Sequence, residues 1–130
     1  MILIGHNLIA SASFYHIDSI GAIANTPPNS IVSLIFSYTN IDIINHLAQN
    51  NITFALFVEN PTEAVIAHNL GASYMIVAMK NAKEIQSIAE HYLFDAKVLA
   101  LISEEKQLRD AIELRVDGAI YSEAIIKITS

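Results

Sequence analysis

Short apolar runs alternate with amphipathic stretches of about ten residues along most of this chain. The clearest unit is residues 51–78. Thr53–Val58 carries no charge and is too short for a helix, so it suits a strand buried on both faces, as a parallel sheet requires. Asn60 can cap the helix that follows, Pro61 fits its first position, and Glu63 completes a capping box. Gly71 supplies the left-handed residue that ends this helix before a second strand, Tyr74–Ala78.

The same rhythm extends in both directions. Ile2–Ile4 predicts a first strand, while residues 5–29 are the least regular part, with a short helix from Asp18 or Ser19 to Ala24 stopped by Pro27-Pro28. Ile31–Ser37 reads as a strand, and Thr39 with Asp42 as the cap of a helix to about Asn50. Asn81 with Glu84 caps a helix to about Leu93, Lys97–Ile102 is a strand, and Ser103 precedes an acidic first turn, Glu104-Glu105, of a helix to Leu114. Gly118–Tyr121 is the last predicted strand, and Ser122 caps a short terminal helix. The predicted caps at 39, 60, 81, 103 and 122 are 21, 21, 22 and 19 residues apart, a period that marks one supersecondary unit used repeatedly. Residues 1–130 therefore predict a single α/β domain of repeated βα units with a mostly parallel sheet of five to six strands. Its order is either half-barrel-like or flavodoxin-like. Five or six strands are too few to close an eight-stranded barrel, and an open sheet leaves edges to be covered.

Charge sharpens this picture. A net charge of -6 and a pI near 5.2 argue against nucleic acid as a partner. No apolar run reaches the 18 or so residues of a spanning helix, and the N-terminus lacks the basic region of a signal peptide, so the expectation is a cytoplasmic protein without a membrane partner. With no cysteine, disulfides, thiolate metal sites and cysteine nucleophiles are excluded. The first basic side chain is Lys80, and before Glu59 only Asp18 and Asp42 are charged. Such a surface is either covered by Asn, Ser, Thr and Gln or shielded by another subunit, because interface cores are depleted in charge. A homo-oligomer formed through the uncharged N-terminal half, or docking to a protein partner, is the expectation.

Two stretches carry a family likeness. Asp117-Gly118-Ala119-Ile120-Tyr121-Ser122-Glu123-Ala124-Ile125-Ile126-Lys127 resembles the last-strand motif of the tryptophan synthase alpha subunit, Asp-Gly-Ala-Ile-x-Gly-Ser-Ala-Ile-Val-Lys. Pro61-Thr62-Glu63 with Ala67 and Gly71 resembles a segment of 2-keto-3-deoxy-6-phosphogluconate aldolase. Both are phosphate-binding (β/α)8-barrel enzymes, and the likeness covers roughly residues 53–128. It implies a barrel-type βα unit, and it argues against either activity. Ser122 and Glu123 stand where the family places the Gly-Ser pair that holds phosphate, and a carboxylate there repels such a ligand. Ile76 stands where the aldolase has its Schiff-base lysine.

Parallel α/β sheets bind ligands beyond the carboxyl ends of their strands. The residues just past the predicted strands include His6, Glu59, Lys80 and Glu123, which form the candidate ligand-binding set. His6, Glu59 and Glu123 have the chemistry for a hard cation or for acid–base work, and Lys80 for neutralising an anion or, where desolvated, for acting as an amine nucleophile. First-turn carboxylates are also routine partners of the helix dipole, and His6 also fits a packed loop residue. His46, His68 and His91 follow the repeat and lie near helix C-termini, too far apart for one metal. His16, ten residues beyond His6, has no ligand spacing, and Ser11 and Ser13 lack a nucleophile elbow. The four glycines form no phosphate-cradling loop. No catalytic motif stands intact, and no catalytic residue, metal or cofactor is expected. The sequence thus predicts a non-catalytic α/β protein that acts by self-association or docking. The alternative is a small-molecule or metal-binding domain, with or without enzymatic activity, whose site lies at the carboxyl ends of the strands.

Overall fold

The computed structural model describes residues 1–128. Eight strands form one sheet: β1 (Ile2–Ile4), β2 (Phe14–His16), β3 (Ile31–Ile35), β4 (Phe54–Phe57), β5 (Tyr74–Ala78), β6 (Lys97–Ile102), β7 (Gly118–Tyr121) and β8 (Ile125–Lys127). Their spatial order is β1-β7-β6-β5-β4-β3-β2-β8, and every neighbouring pair is parallel. From β2 to β7 the sheet winds in one direction without reversal, so the half-barrel order holds and the flavodoxin-like one does not.

The expectation of five to six strands is corrected to eight. The two missed strands, β2 and β8, have three residues each and end in His16 and Lys127, which breaks the apolar signal. Instead of a terminal helix, one 3-10 turn, Ser122–Ala124, leads from β7 into β8, whose backbone pairs with β2.

Five α-helices accompany the strands: α1 (Ile20–Ile23), α2 (Ile41–Gln49), α3 (Pro61–Asn69), α4 (Met79–His91) and α5 (Lys106–Leu114). The α3 cap forms as its sequence implies. Asn60 Oδ1 accepts the Glu63 N–H, Glu63 Oε1 accepts the Glu59 N–H, and Gly71 leaves the helix with φ +100°. Ser19 caps α1 by accepting from the Ala22 N–H. Asn81 is not a cap: α4 starts two residues earlier, directly after β5, with Ala78 at the N-cap. Nor does Thr39 cap α2, which follows a 3-10 turn begun by Ser37.

Alternation along the strands divides the apolar residues into two layers. Val32, Leu34, Leu56, Met75, Val77 and Val98 face the helices and pack against Ile44, Leu47, Ala64, Ala67 and Ile85. Ile4, Phe14, Ala55, Ile76, Leu99 and Ile120 share the concave face. The strands are staggered: the paired residues Ile2, Gly118, Leu99, Ile76, Phe57 and Ile35 place the first residue of β1 level with the last residue of β3. Such a stagger accompanies sheet curvature. Curling brings Phe14 of β2 within 5.3 Å of Tyr74 of β5, although two strands lie between them. Gly118 has no room for a side chain, since a Cβ there would fall 2.6 Å from the Ile2 carbonyl oxygen and 2.7 Å from Leu99 Cδ2.

One buried polar network ties α4 to the amino ends of β6 and β7. Gln86 Oε1 accepts the Asp117 N–H at 2.9 Å, Gln86 Nε2 donates to Asp117 Oδ1 at 3.2 Å, and Asp117 Oδ2 accepts the Val98 N–H at 2.9 Å. The acidic residue of the Asp-Gly-Ala-Ile stretch is thus part of the scaffold. No helix among the described residues is long and apolar enough to cross a membrane.

Candidate functional site

All eight strands run the same way, so the segments leaving their carboxyl ends gather along one rim of the curled sheet. A cleft of about 750 Å³ opens there. Its floor is apolar, from Ile35, Phe57, Ile76, Ala78 and Leu101, and its polar side is built by Ser37, Glu59, Glu63, Lys80 and Asn81. Each polar residue arrives for a local reason. Glu59 follows β4, Glu63 sits in the first turn of α3, and Lys80 and Asn81 occupy the first turn of α4 because that helix begins where β5 ends. The Glu63 carboxylate is engaged in capping. The side chains of Glu59 and Lys80 are exposed and form no ion pair among the described residues.

The cleft volume lies within the range of ordinary ligand sites, and an apolar floor with a few polar groups is their usual composition. Two of the four candidate residues, Glu59 and Lys80, line it. The other two do not. His6 lies at the end of β1, with its side chain 11% exposed, and Nε2 is 2.7 Å from Glu105 Oε1. The Leu8 N–H donates to His6 Nδ1, which leaves Nε2 as the protonated nitrogen that donates to Glu105. Glu123 is exposed in the 3-10 turn after β7. Among the described residues, no group of three His, Asp or Glu side chains is arranged to hold a metal ion.

No known protein-family model matches the chain, and no curated protein matches it either. What the site can do is therefore read from its own chemistry.

Beside His6 stands Tyr121, its ring edge-on at 5.7 Å between centroids. Tyr121 is 9% exposed, and its hydroxyl has no hydrogen-bond partner among the described residues. Burial, and secondarily the Glu105 carboxylate, raises its pKa above the ordinary phenol value. This neutral hydroxyl belongs to the packing layer beneath the helices, away from the cleft.

A second, smaller hollow of about 180 Å³ adjoins the cleft and shares Ile35 and Phe57 with it. His16, Ile125 and Lys127 complete its walls. His16 Nδ1 lies 3.0 Å from the Oγ of fully buried Ser33, and its ring meets Phe57 edge-on at 5.4 Å. Desolvation first, and the nearby Lys127 ammonium second, lower the His16 pKa, with Asp18 opposing. At neutral pH this imidazole is uncharged. His16 and Lys127 are register partners on β2 and β8, hence neighbours on one face. Their spacing from Phe14 and Ile125 is the signal that would have located them, had those two strands been recognised.

The three repeat-spaced histidines stay apart in role and place. Each occupies the last turn of its helix, and His68 stacks on Phe94 at 4.3 Å while its Nε2 accepts the Asp95 N–H.

Proposed function

We propose that this protein is a small-molecule-binding domain whose ligand occupies the cleft at the carboxyl ends of the strands. The supporting observation is the coincidence, in one cleft, of an apolar floor and the Lys80 ammonium, which has no ion pair among the described residues, lining the same space as Glu59. Lys80 offers a positive charge and three donors to an anionic or carbonyl oxygen, and Glu59 an acceptor for a hydroxyl or amine. The flanking turn at Asn60 and Glu63 is held by its capping bonds, so Glu59 is presented from a fixed backbone. The reading is of binding, because the cleft presents a cationic and an anionic side chain, Lys80 and Glu59, over an apolar floor.

The experiment is a ligand-shift thermal melt against sugar phosphates, nucleotides, small carboxylic acids and divalent cations. A ligand present at 100 times its dissociation constant stabilises the fold by about 2.7 kcal/mol, easily read as a shift in Tm. Lys80→Met is expected to abolish the shift given by an anionic ligand. No stabilisation by any member of the set overturns the proposal.

Association remains a second reading, favoured by a separate observation. No α-helix joins β1 to β2 or β7 to β8, and Leu8, Ile9, Ile20 and Ile126 are exposed around that sector. The sector draws mainly on the half of the chain without Lys or Arg. Sedimentation at micromolar concentration tests it, and a strict monomer removes it.

A further inference from the structure

We infer that the hollow between β2, β3, β4 and β8 is a subsite for a small organic monoanion, a carboxylate carried on an apolar body about the size of a benzene ring. This deepens, and rests on, the reading of the strand-end cleft as a ligand site. Three walls, Ile35, Phe57 and Ile125, are apolar, and the open hollow, about 180 Å³, has room for a body the size of a benzene ring. Two polar groups stand on the same face: Lys127 and His16, paired in register on adjacent strands.

The donor inventory selects the anion. Lys127 forms no ion pair among the described residues. His16 Nδ1 lies 3.0 Å from the Ser33 hydroxyl oxygen; in the tautomer in which Nδ1 accepts from that hydroxyl, Nε2 carries the hydrogen, and Nε2 has no partner among the described residues. One ammonium and one imidazole N–H suit the two oxygens of a carboxylate. Lys127 is the one charged side chain among the described residues that line the hollow, since burial and Lys127 itself lower the His16 pKa, with Asp18 acting on His16 in the opposite sense. A phosphate dianion, which asks for more donors and more positive charge, is disfavoured, and no glycine-rich backbone cradle compensates. Ile35 is 56% exposed, so the hollow is open for entry from the larger cleft.

The test compares benzoate, benzyl alcohol and inorganic phosphate by amide chemical-shift titration of the intact protein. Benzoate is expected to shift signals of residues 16, 57 and 127 and to bind at least tenfold tighter than benzyl alcohol, with phosphate leaving them unmoved. Lys127→Met is expected to remove the preference for benzoate while keeping the alcohol. Lys97→Met, at the opposite end of the sheet, changes neither affinity. Should Lys127→Met fail to fold, Lys127→Gln and the wild-type comparison of the three probes carry the test. Equal binding of benzoate and benzyl alcohol, a response to phosphate alone, or no binding at this hollow overturns the inference. A ligand that depends on Lys80 and ignores Lys127 overturns it while leaving the cleft as a binding site, and silence toward every ligand removes both.

Discussion

Replacing Gln86 by leucine opens the one polar network that fastens α4 to the amino ends of β6 and β7. The side chain is 4% exposed, so water does not take its place freely. Gln86→Leu leaves the Asp117 N–H without its acceptor, costing about 1–3 kcal/mol, and removes a bond to a carboxylate worth about 1.5–3 kcal/mol. Burial of the leucine returns roughly 1.5–3 kcal/mol. Water reaching the partly exposed Asp117 recovers some of the carboxylate bond, and the net expected loss is about 2 kcal/mol. For a chain of this size that lowers Tm by roughly 6–10 °C. Urea unfolding with unchanged m gives the free energy directly. A cycle with Asp117→Ala isolates the pair, with an expected coupling above about 1 kcal/mol. A loss below about 0.5 kcal/mol, or additivity within about 0.3 kcal/mol, refutes this account of how the helix is attached.

Three further outcomes follow from the packing and the titrating groups. Gly118→Ala forces a methyl against the Ile2 carbonyl and Leu99, and equilibrium unfolding should show a loss of about 1–3 kcal/mol. Tyr121→Phe removes a buried hydroxyl that has no partner among the described residues, so stability should stay within about 0.5 kcal/mol of wild type or rise, as measured by the same unfolding curve. Because His16 has a lowered pKa in the folded state, the unfolded chain binds its proton first as pH falls. Stability from this group is complete above the unfolded value of about 6.5 and is lost as pH drops from there through the folded pKa. Unfolding measured across that window should lose part of its slope in His16→Gln, and Lys127→Met should raise the His16 pKa in an imidazole NMR titration.

The repeat was legible because each unit carries its punctuation locally. Asn60, Pro61, Glu63 and Gly71 fix one helix from within its own dozen residues, and β5, β6, β7 and α3 begin and end where the sequence places them. What escaped were features made by distant partners. Phe14–His16 becomes a strand because Ile31–Ser33 and Ile125–Lys127 pair with it on both sides, and no local signal encodes that. Asn81 has the chemistry of a cap, yet β5 feeds straight into α4 and the cap position falls at Ala78. Among the candidate site residues, Glu59 and Lys80 were found because they follow adjacent strands. His6 is drawn to Glu105 across 99 positions of the chain, and Lys127 reaches the hollow only through β8. Both depend on strand order, which the period of the repeat leaves open.

That strand order also dictates an assembly sequence. Val32 and its partner Phe54 are 22 residues apart, whereas Ile2 and Gly118 are 116 apart and Phe14 and Ile125 are 111 apart. Closing the longer loops costs about 1.5 kcal/mol more than closing the repeat-length ones. The inner βα units therefore zip first and the two outermost ribbons dock late, so β8, which carries Lys127, should be among the first segments to detach. Hydrogen exchange would register that as fast turnover at one flank of the small hollow, making occupancy by a ligand and retention of the last strand a single event.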